Sequence, residues 1–205
     1  TSVGTLTATD EDSGETFSYS IVSGADAARF SIGGASSDEL ILTDGVLDFE
    51  TQSSYSVTVR VTDSGGNTYD ETLSVTVNDL NETPTDIAPN SFSINENVDT
   101  SAGVSVGTLT ATDEDSGETF SYAIVGGADA AGFSIGGASS DELILTDGTL
   151  DFETQSSYSV TVRVTDGGGN TYDETLTVNV NDLNETPTDI APKSFSINEN
   201  VDTSA

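Results

Sequence analysis

The chain has 205 residues, 36 acids against four bases, a formal net charge of −32 and only 34% apolar residues. Such a charge repels phosphates and excludes a nucleic-acid partner. The absence of Cys and His removes disulfides, thiolate metal sites, the commonest general base and the usual zinc ligand. The proportions lie near those of disordered chains. Here, however, the acids recur at fixed places between alternating apolar stretches. That predicts a fold whose charge is balanced from outside, by a basic protein or by divalent cations. No run of about 18 apolar residues is present, so direct membrane insertion is not expected. The chain opens in mid-pattern, which predicts an excerpt from a longer protein.

In chain order, the first feature is a copy of itself. Shifted by about 103 residues the sequence lies on itself with about nine mismatches; "VGTLTATDEDSGETFSY" stands at 3–19 and 106–122, and "LDFETQSSYSVTVRVTD" at 47–63 and 150–166. Units of this length predict an array of whole domains, since solenoid repeats run about 20–50 residues. An acidic linker, "NDLNETPTDIAP", stands at 78–89 and returns at 181–192. After the first linker comes "SFSINEN" at 91–97, read as the first strand of a repeat. Phe120, Tyr122 and Ile124 alternate with polar residues. "TDG" at 146–148 reads as an Asp-Gly hairpin turn. From Tyr158 to Thr165 every second residue is apolar, and Leu176, Val178 and Val180 continue the period of two. This is the signature of strands with one buried and one wet face. Tyr19, Phe30, Phe49 and Tyr55 and their second-copy equivalents read as core.

The pattern predicts an all-β protein of tandem seven-stranded Greek-key β-sandwiches. The expected domains are 1–82, a repeat without its first strand; 83–185, a complete repeat; and 186–205, the first strand of a following repeat.

The order of motifs resembles cadherin-type repeats, above all the cadherin-like and Ig-like extender repeats of large bacterial surface adhesins of the RTX type. The carriers are Asp-x-Asp at Asp10 and Asp12 and at Asp113 and Asp115; Leu-Asp-x-Glu at Asp48 and Glu50 and at Asp151 and Glu153; the strand-closing Asp63 and Asp166; and Glu96 and Glu199 near the end of a first strand. The linker departs from the family's Asp-x-Asn-Asp-Asn-x-Pro. It supplies Asp79, Asn81 and Glu82, and Asp182, Asn184 and Glu185, with Glu where Asp is usual and Thr83 where Asn is usual. The resemblance implies that these residues bind several Ca2+ ions clustered at domain junctions. It implies an extracellular, cell-surface setting and a calcium-rigidified spacer that projects a distal binding domain. The alternative is a calcium-dependent recognition module for a partner protein or glycan.

Electrostatics points the same way. In sandwiches joined end to end, Asp48, Glu50, Asp79 and Glu82 are expected to meet Asp113, Asp115 and Asp166. Two like charges 4–5 Å apart repel by roughly 3–4 kcal/mol at an effective dielectric near 20. Calcium, with its six to eight oxygen ligands and loose geometry, suits such a set better than magnesium. Other readings fail. Counted from Asp113, the twelfth residue of an EF-hand loop would be Ile124 rather than Glu. The "DSG" at 63–65 becomes Asp166-Gly167-Gly168 in the other copy, and twin glycosidase sites in near-identical copies are improbable. The chain is not expected to be an enzyme. Asp26, Asp38, Glu39, Asp70, Glu71 and Asp86 are expected to be solvated surface. The expected partners are neighbouring repeats of the same array. A second expectation is head-to-tail donation of the 194–200 strand to residues 1–82 of another molecule, bringing Glu199 beside Asp48 and Glu50.

Overall fold

The computed structural model describes residues 1–197, 199 and 204. It divides into two units: Thr1–Glu82 with Glu114–Gly117, and Thr83–Asp113 with Glu118–Ala205. The first holds β1 (Ser2–Thr5), β2 (Ser18–Ser23), β3 (Phe30–Gly33), β4 (Glu39–Leu42), β5 (Ser54–Thr62) and β6 (Thr68–Thr76). They form two three-stranded sheets, β2-β5-β6 and β1-β4-β3.

The second unit repeats this plan and adds to it. Its strands are β7 (Asp86–Ala88), β8 (Ser91–Asn95), β9 (Val104–Thr108), β10 (Thr110–Thr112), β11 (Ser121–Gly126), β12 (Phe133–Gly136), β13 (Glu142–Leu145), β14 (Ser157–Thr165) and β15 (Thr171–Asn181). One sheet runs β11-β14-β15-β8, a second runs β12-β13-β9, and β10 pairs with β7. With β7–β8 and β9–β10 each counted as one interrupted strand, the unit is a seven-stranded sandwich. β8 lies parallel to β15, with Phe92 opposite Val178 and Ile94 opposite Val180.

The period of two does what the sequence predicts. Tyr158, Val160, Val162 and Val164 all point into the core, with Leu176, Val178 and Val180 beside them. Burying each such aliphatic side chain contributes about 1.5–3 kcal/mol, and β-branched Val and Thr suit the pleated surface between. Phe133 meets Tyr158 edge to face at 6.2 Å, as Phe30 meets Tyr55 at 6.3 Å. Tyr19 and Phe49 pack, half-buried, against the first unit's own core of Phe30, Leu40, Tyr55 and Val57.

Three expectations are corrected. "TDG" at 146–148 does not join two paired strands: after β13 the chain leaves the sheet, and Thr149 forms an isolated bridge to Asp99. Asp147 instead accepts the Tyr158 hydroxyl at 2.6 Å, and Gly148 O accepts the Thr100 hydroxyl at 2.9 Å. Nor is Asp26 mere solvated surface. It accepts Ser56 N at 2.8 Å and Gln52 Nε2 at 2.9 Å, and its equivalent Asp129 accepts Ser159 N at 2.7 Å and Gln155 Nε2 at 3.0 Å. Asp70 pairs with Arg60, and Glu71 accepts the Tyr69 hydroxyl at 2.6 Å. The expected strand at 194–200 is not formed over Ser194–Ile197, and Asn198 and Asn200 lie outside the described residues.

The turn after β11 depends on Gly127, at φ +107°, where a Cβ would stand 2.5 Å from Val160 Cα. Gly117, at φ +82°, has open space around it. In urea denaturation Gly127→Ala is expected to cost more than about 2 kcal/mol, from left-handed strain plus a backbone clash. Gly117→Ala, with strain alone, is expected to cost about 1 kcal/mol.

Candidate metal centre

Among the described residues, two groups of four carboxylates stand out, one in each unit. In the first, Glu50, Asp79, Glu82 and Asp115 each present an oxygen within 4.8 Å of the others; in the second, Glu96, Glu153, Asp182 and Glu185 do the same. Three positions are equivalent in the repeat: Glu50 with Glu153, Asp79 with Asp182, and Glu82 with Glu185. The fourth differs. Asp115, on the 114–117 loop that belongs to the first unit, closes one cluster. Glu96, just past the end of β8, closes the other.

Local structure explains how the acids are aimed. In each Leu-Asp-x-Glu motif the Asp folds back on its own turn. Asp48 accepts Thr51 N at 2.9 Å and Thr51 Oγ1 at 2.8 Å, and Asp151 does likewise with Thr154 at 3.2 and 2.9 Å. This Asx-type turn leaves the Glu two residues on to reach the cluster. Asp48 and Asp151 are therefore outside the two groups, holding the loop rather than adding a fifth oxygen. In the first unit Glu82 N donates to Asp115 Oδ2 at 3.0 Å. In the second, Glu96 is 3% exposed and accepts the backbone N–H groups of Phe152, at 3.0 Å, and of Leu183. Asn97 Nδ2 donates to Glu185 Oε1 at 3.2 Å.

The charges are held against their preference. Desolvation, then the charges of Asp115, Glu50, Asp79 and Glu114, push the Glu82 carboxyl above the usual carboxylate range. At Glu153 a backbone hydrogen bond pulls the carboxyl down, but desolvation and the charges of Glu96, Glu185 and Asp182 outweigh it and raise it. Glu96 goes the other way: the donors of Leu183 and Phe152 hold it ionised. No base of the chain relieves this. Arg29 pairs with Asp44, Arg60 with Asp70, Arg163 with Asp173 and Lys193 with Asp189, so all four bases are engaged with acids outside the clusters.

The other predicted ligands are placed as follows. Asp10 and Asp12 are exposed, with Asp12 N donating to Asp10 Oδ1 at 3.0 Å. Asp63 accepts Asn67 N at 2.7 Å and Asn67 Nδ2 at 2.9 Å; the buried Asp166 accepts Asn170 N at 2.8 Å. Asn81 and Asn184 donate their amides to the carbonyls of Glu82 and Glu185 at 2.9 and 3.2 Å. Asp113 is half-buried and belongs to the second unit; Glu199 is exposed.

The donor set fits a hard cation. Two oxygens across one calcium stand about 4.6–5.2 Å apart, twice the Ca–O distance, and each cluster's oxygens fall within 4.8 Å. All donors are oxygens, with no nitrogen or sulfur to favour a softer metal.

Comparison with known proteins completes the picture. The cadherin domain family matches residues 1–78 and 90–181. Mouse Protocadherin Fat 4 is 38% identical over 197 residues, covering 93% of this chain and 4% of its own length. The Drosophila melanogaster protocadherin-like wing polarity protein stan is 33% identical over 196 residues, covering 90% and 5%. The chain thus spans about one-twentieth of the curated relatives it matches. Among solved structures, human Protocadherin-24 EC1-2 superposes with a TM-score of 0.66 at 25% identity over 88% of each chain. The human Desmocollin-1 ectodomain gives 0.61 at 22% identity over 90% of this chain and 39% of its own. These relatives are animal proteins, and the narrower resemblance to bacterial RTX-type adhesins finds no support in them. With matches covering most of its length and acidic motifs in the family's order in both copies, the chain belongs to the cadherin family.

Proposed function

We propose that this chain is a pair of calcium-dependent recognition modules from an extracellular adhesion array. The carrying observation is that two four-carboxylate clusters sit within ligand distance while all four bases are committed elsewhere. Glu50, Asp79, Glu82 and Asp115 would hold calcium in the first unit, and Glu96, Glu153, Asp182 and Glu185 in the second. Bound calcium supplies positive charge at the point where the fold concentrates negative charge. The chain's own part is to aim the oxygens: the Asp48 and Asp151 turns set the loops, and two backbone N–H groups keep Glu96 ionised and oriented. Relatives with this domain are adhesion proteins rather than enzymes, and the Desmocollin-1 and protocadherin matches are to ectodomains or extracellular domains. That supports a cell-surface setting. The repeat boundaries we assign are 82/83 and 185/186, after the linker Glu of each copy.

A spacer role is the second reading, favoured by the near-identity of the two copies. A dedicated recognition site is needed once, whereas a spacer unit is needed many times. Display on a bacterial surface belongs to this reading alone. A self-association and glycan-binding screen in calcium separates the two. Specific capture supports recognition, and silence in every arm supports the spacer.

Metal that binds only the folded state stabilises it by mass action. Calorimetry is expected to show a higher melting temperature in calcium than in chelator, with circular dichroism and small-angle scattering following the same titration. A melting curve indifferent to chelator ends the proposal. Glu96→Gln is expected to weaken calcium binding at the second cluster by more than about tenfold, read by isothermal titration, while leaving the first cluster's affinity unchanged.

A further inference from the structure

A tyrosine and an aspartate are paired in the same way in both units, and in only one of them does the chain add a cation. In the first unit Asp44 accepts the Tyr55 hydroxyl on Oδ2 and pairs with Arg29 through Oδ1. The Arg29 guanidinium also stands 5.8 Å from the centroid of the Tyr55 ring. Arg29 is brought there by the short 3-10 turn Ala27–Arg29, tied to the chain after β4 by Thr43 N donating to Arg29 O at 2.8 Å. Under this cover the Asp44 side chain is 14% exposed.

The second unit keeps the frame. Asp147 accepts the Tyr158 hydroxyl on Oδ2 at 2.6 Å, and Thr146 N donates to Gly132 O at 2.7 Å. Burial and the hydrogen bond to Asp147 raise the Tyr158 hydroxyl above its ordinary range, so it stays a donor. What differs is the cation. Gly132 stands where the first unit has Arg29. Each of the four bases is paired with another acid. Asp147 is exposed, although Thr100 adds cover at its backbone, its hydroxyl accepting Asp147 N at 2.8 Å. Nothing in the backbone calls for glycine: the φ of Gly132 is ordinary, and a Cβ there would have Leu145 Cδ1 and Thr146 O at 3.8 Å as its nearest neighbours.

We propose that Asp147 and Tyr158 form a seat for a guanidinium from outside the chain, an arginine side chain of a protein partner. The first unit shows how the group sits: its N–H donors go to the Asp oxygen that the tyrosine leaves open, and its plane lies near the ring. The Tyr158 hydroxyl holds the other oxygen and so fixes the carboxylate. Arginine suits the place better than lysine, because a planar guanidinium combines a directed hydrogen bond with packing against an aromatic ring. In the first unit Arg29 fills the seat. The two nearly identical copies thus differ in what they accept, and a recognition site needed once is present once. The seat lies outside both carboxylate clusters and does not rest on the calcium reading.

A titration of the full chain in calcium with N-acetylarginine amide, followed by backbone amide shifts in nuclear magnetic resonance, tests this. Saturable shifts are expected at Gly132, Phe133, Thr146, Asp147 and Tyr158, and not at Arg29, Asp44 and Tyr55. The lysine analogue is expected to bind there several-fold more weakly. Gly132→Arg is expected to weaken the site by a factor of about ten or more, while Gly132→Ala, which has the same room but no cation, keeps it. Arg29→Gly is expected to open a second seat, with new shifts at Asp44 and Tyr55. Shifts scattered over the acidic surface without saturation at Asp147, a Gly132→Arg variant that binds as well as the parent, or an Arg29→Gly variant that gains no site each overturns the proposal. None of these outcomes touches the melting difference between calcium and chelator, so the two readings fail separately.

Discussion

Mutual repulsion among carboxylates that the backbone will not let separate is the constraint on which the rest depends. Each cluster is assembled from a turn after a short strand, a linker peptide and one further acid, and every piece is anchored by hydrogen bonds or strand pairing. Glu82 and Glu153 show the outcome in carboxyls pushed above the usual range, by desolvation and by like-charged neighbours. Every Arg and Lys is paired elsewhere, so none of the chain's own bases neutralises the clusters.

Much of this was legible in the letters. Alternation from Tyr158 to Thr165 locates a core strand because only one face of a sheet is dry, and the same rule finds β15. The cluster positions Glu50, Asp79, Glu82, Glu96, Asp115, Glu153, Asp182 and Glu185 were all among the residues that the motifs singled out. What the motifs could not do was sort ligand from scaffold. Asp48 and Glu50 look alike on paper. Thr51, three residues past Asp48, is the signal that its carboxylate is spent on a turn. Asp26 and Asp129 were missed because their partners, Ser56 with Gln52 and Ser159 with Gln155, are about 30 residues away, beyond the reach of any local pattern. The Asp-Gly pair at 147–148 misled because Asp147 serves a buried tyrosine hydroxyl rather than a hairpin.

The two units also separate sequence from context. Leu6 and Leu109, or Leu73 and Leu176, are the same residue in the same local motif, yet one of each pair is half-covered and the other sealed. The difference comes from a segment distant in sequence. Propensity and pattern form the strand; whether its apolar face is dry depends on a neighbour that the strand does not encode. That is why the shorter β6 and the longer β15 arise from almost the same letters: the last two residues of β15 are ordered as strand against β8.

The parallel pairing of β8 with β15 has a consequence under tension. These are the opening and closing long strands of one unit, side by side and pointing the same way. Pull the unit by its two ends and the strands slide past one another along their length, so the rungs between Ser91–Asn95 and Thr177–Asn181 are loaded together in shear. An antiparallel pair held at the same corner would instead unzip rung by rung. A module wired in this way resists stretching far better than its equilibrium stability alone would suggest.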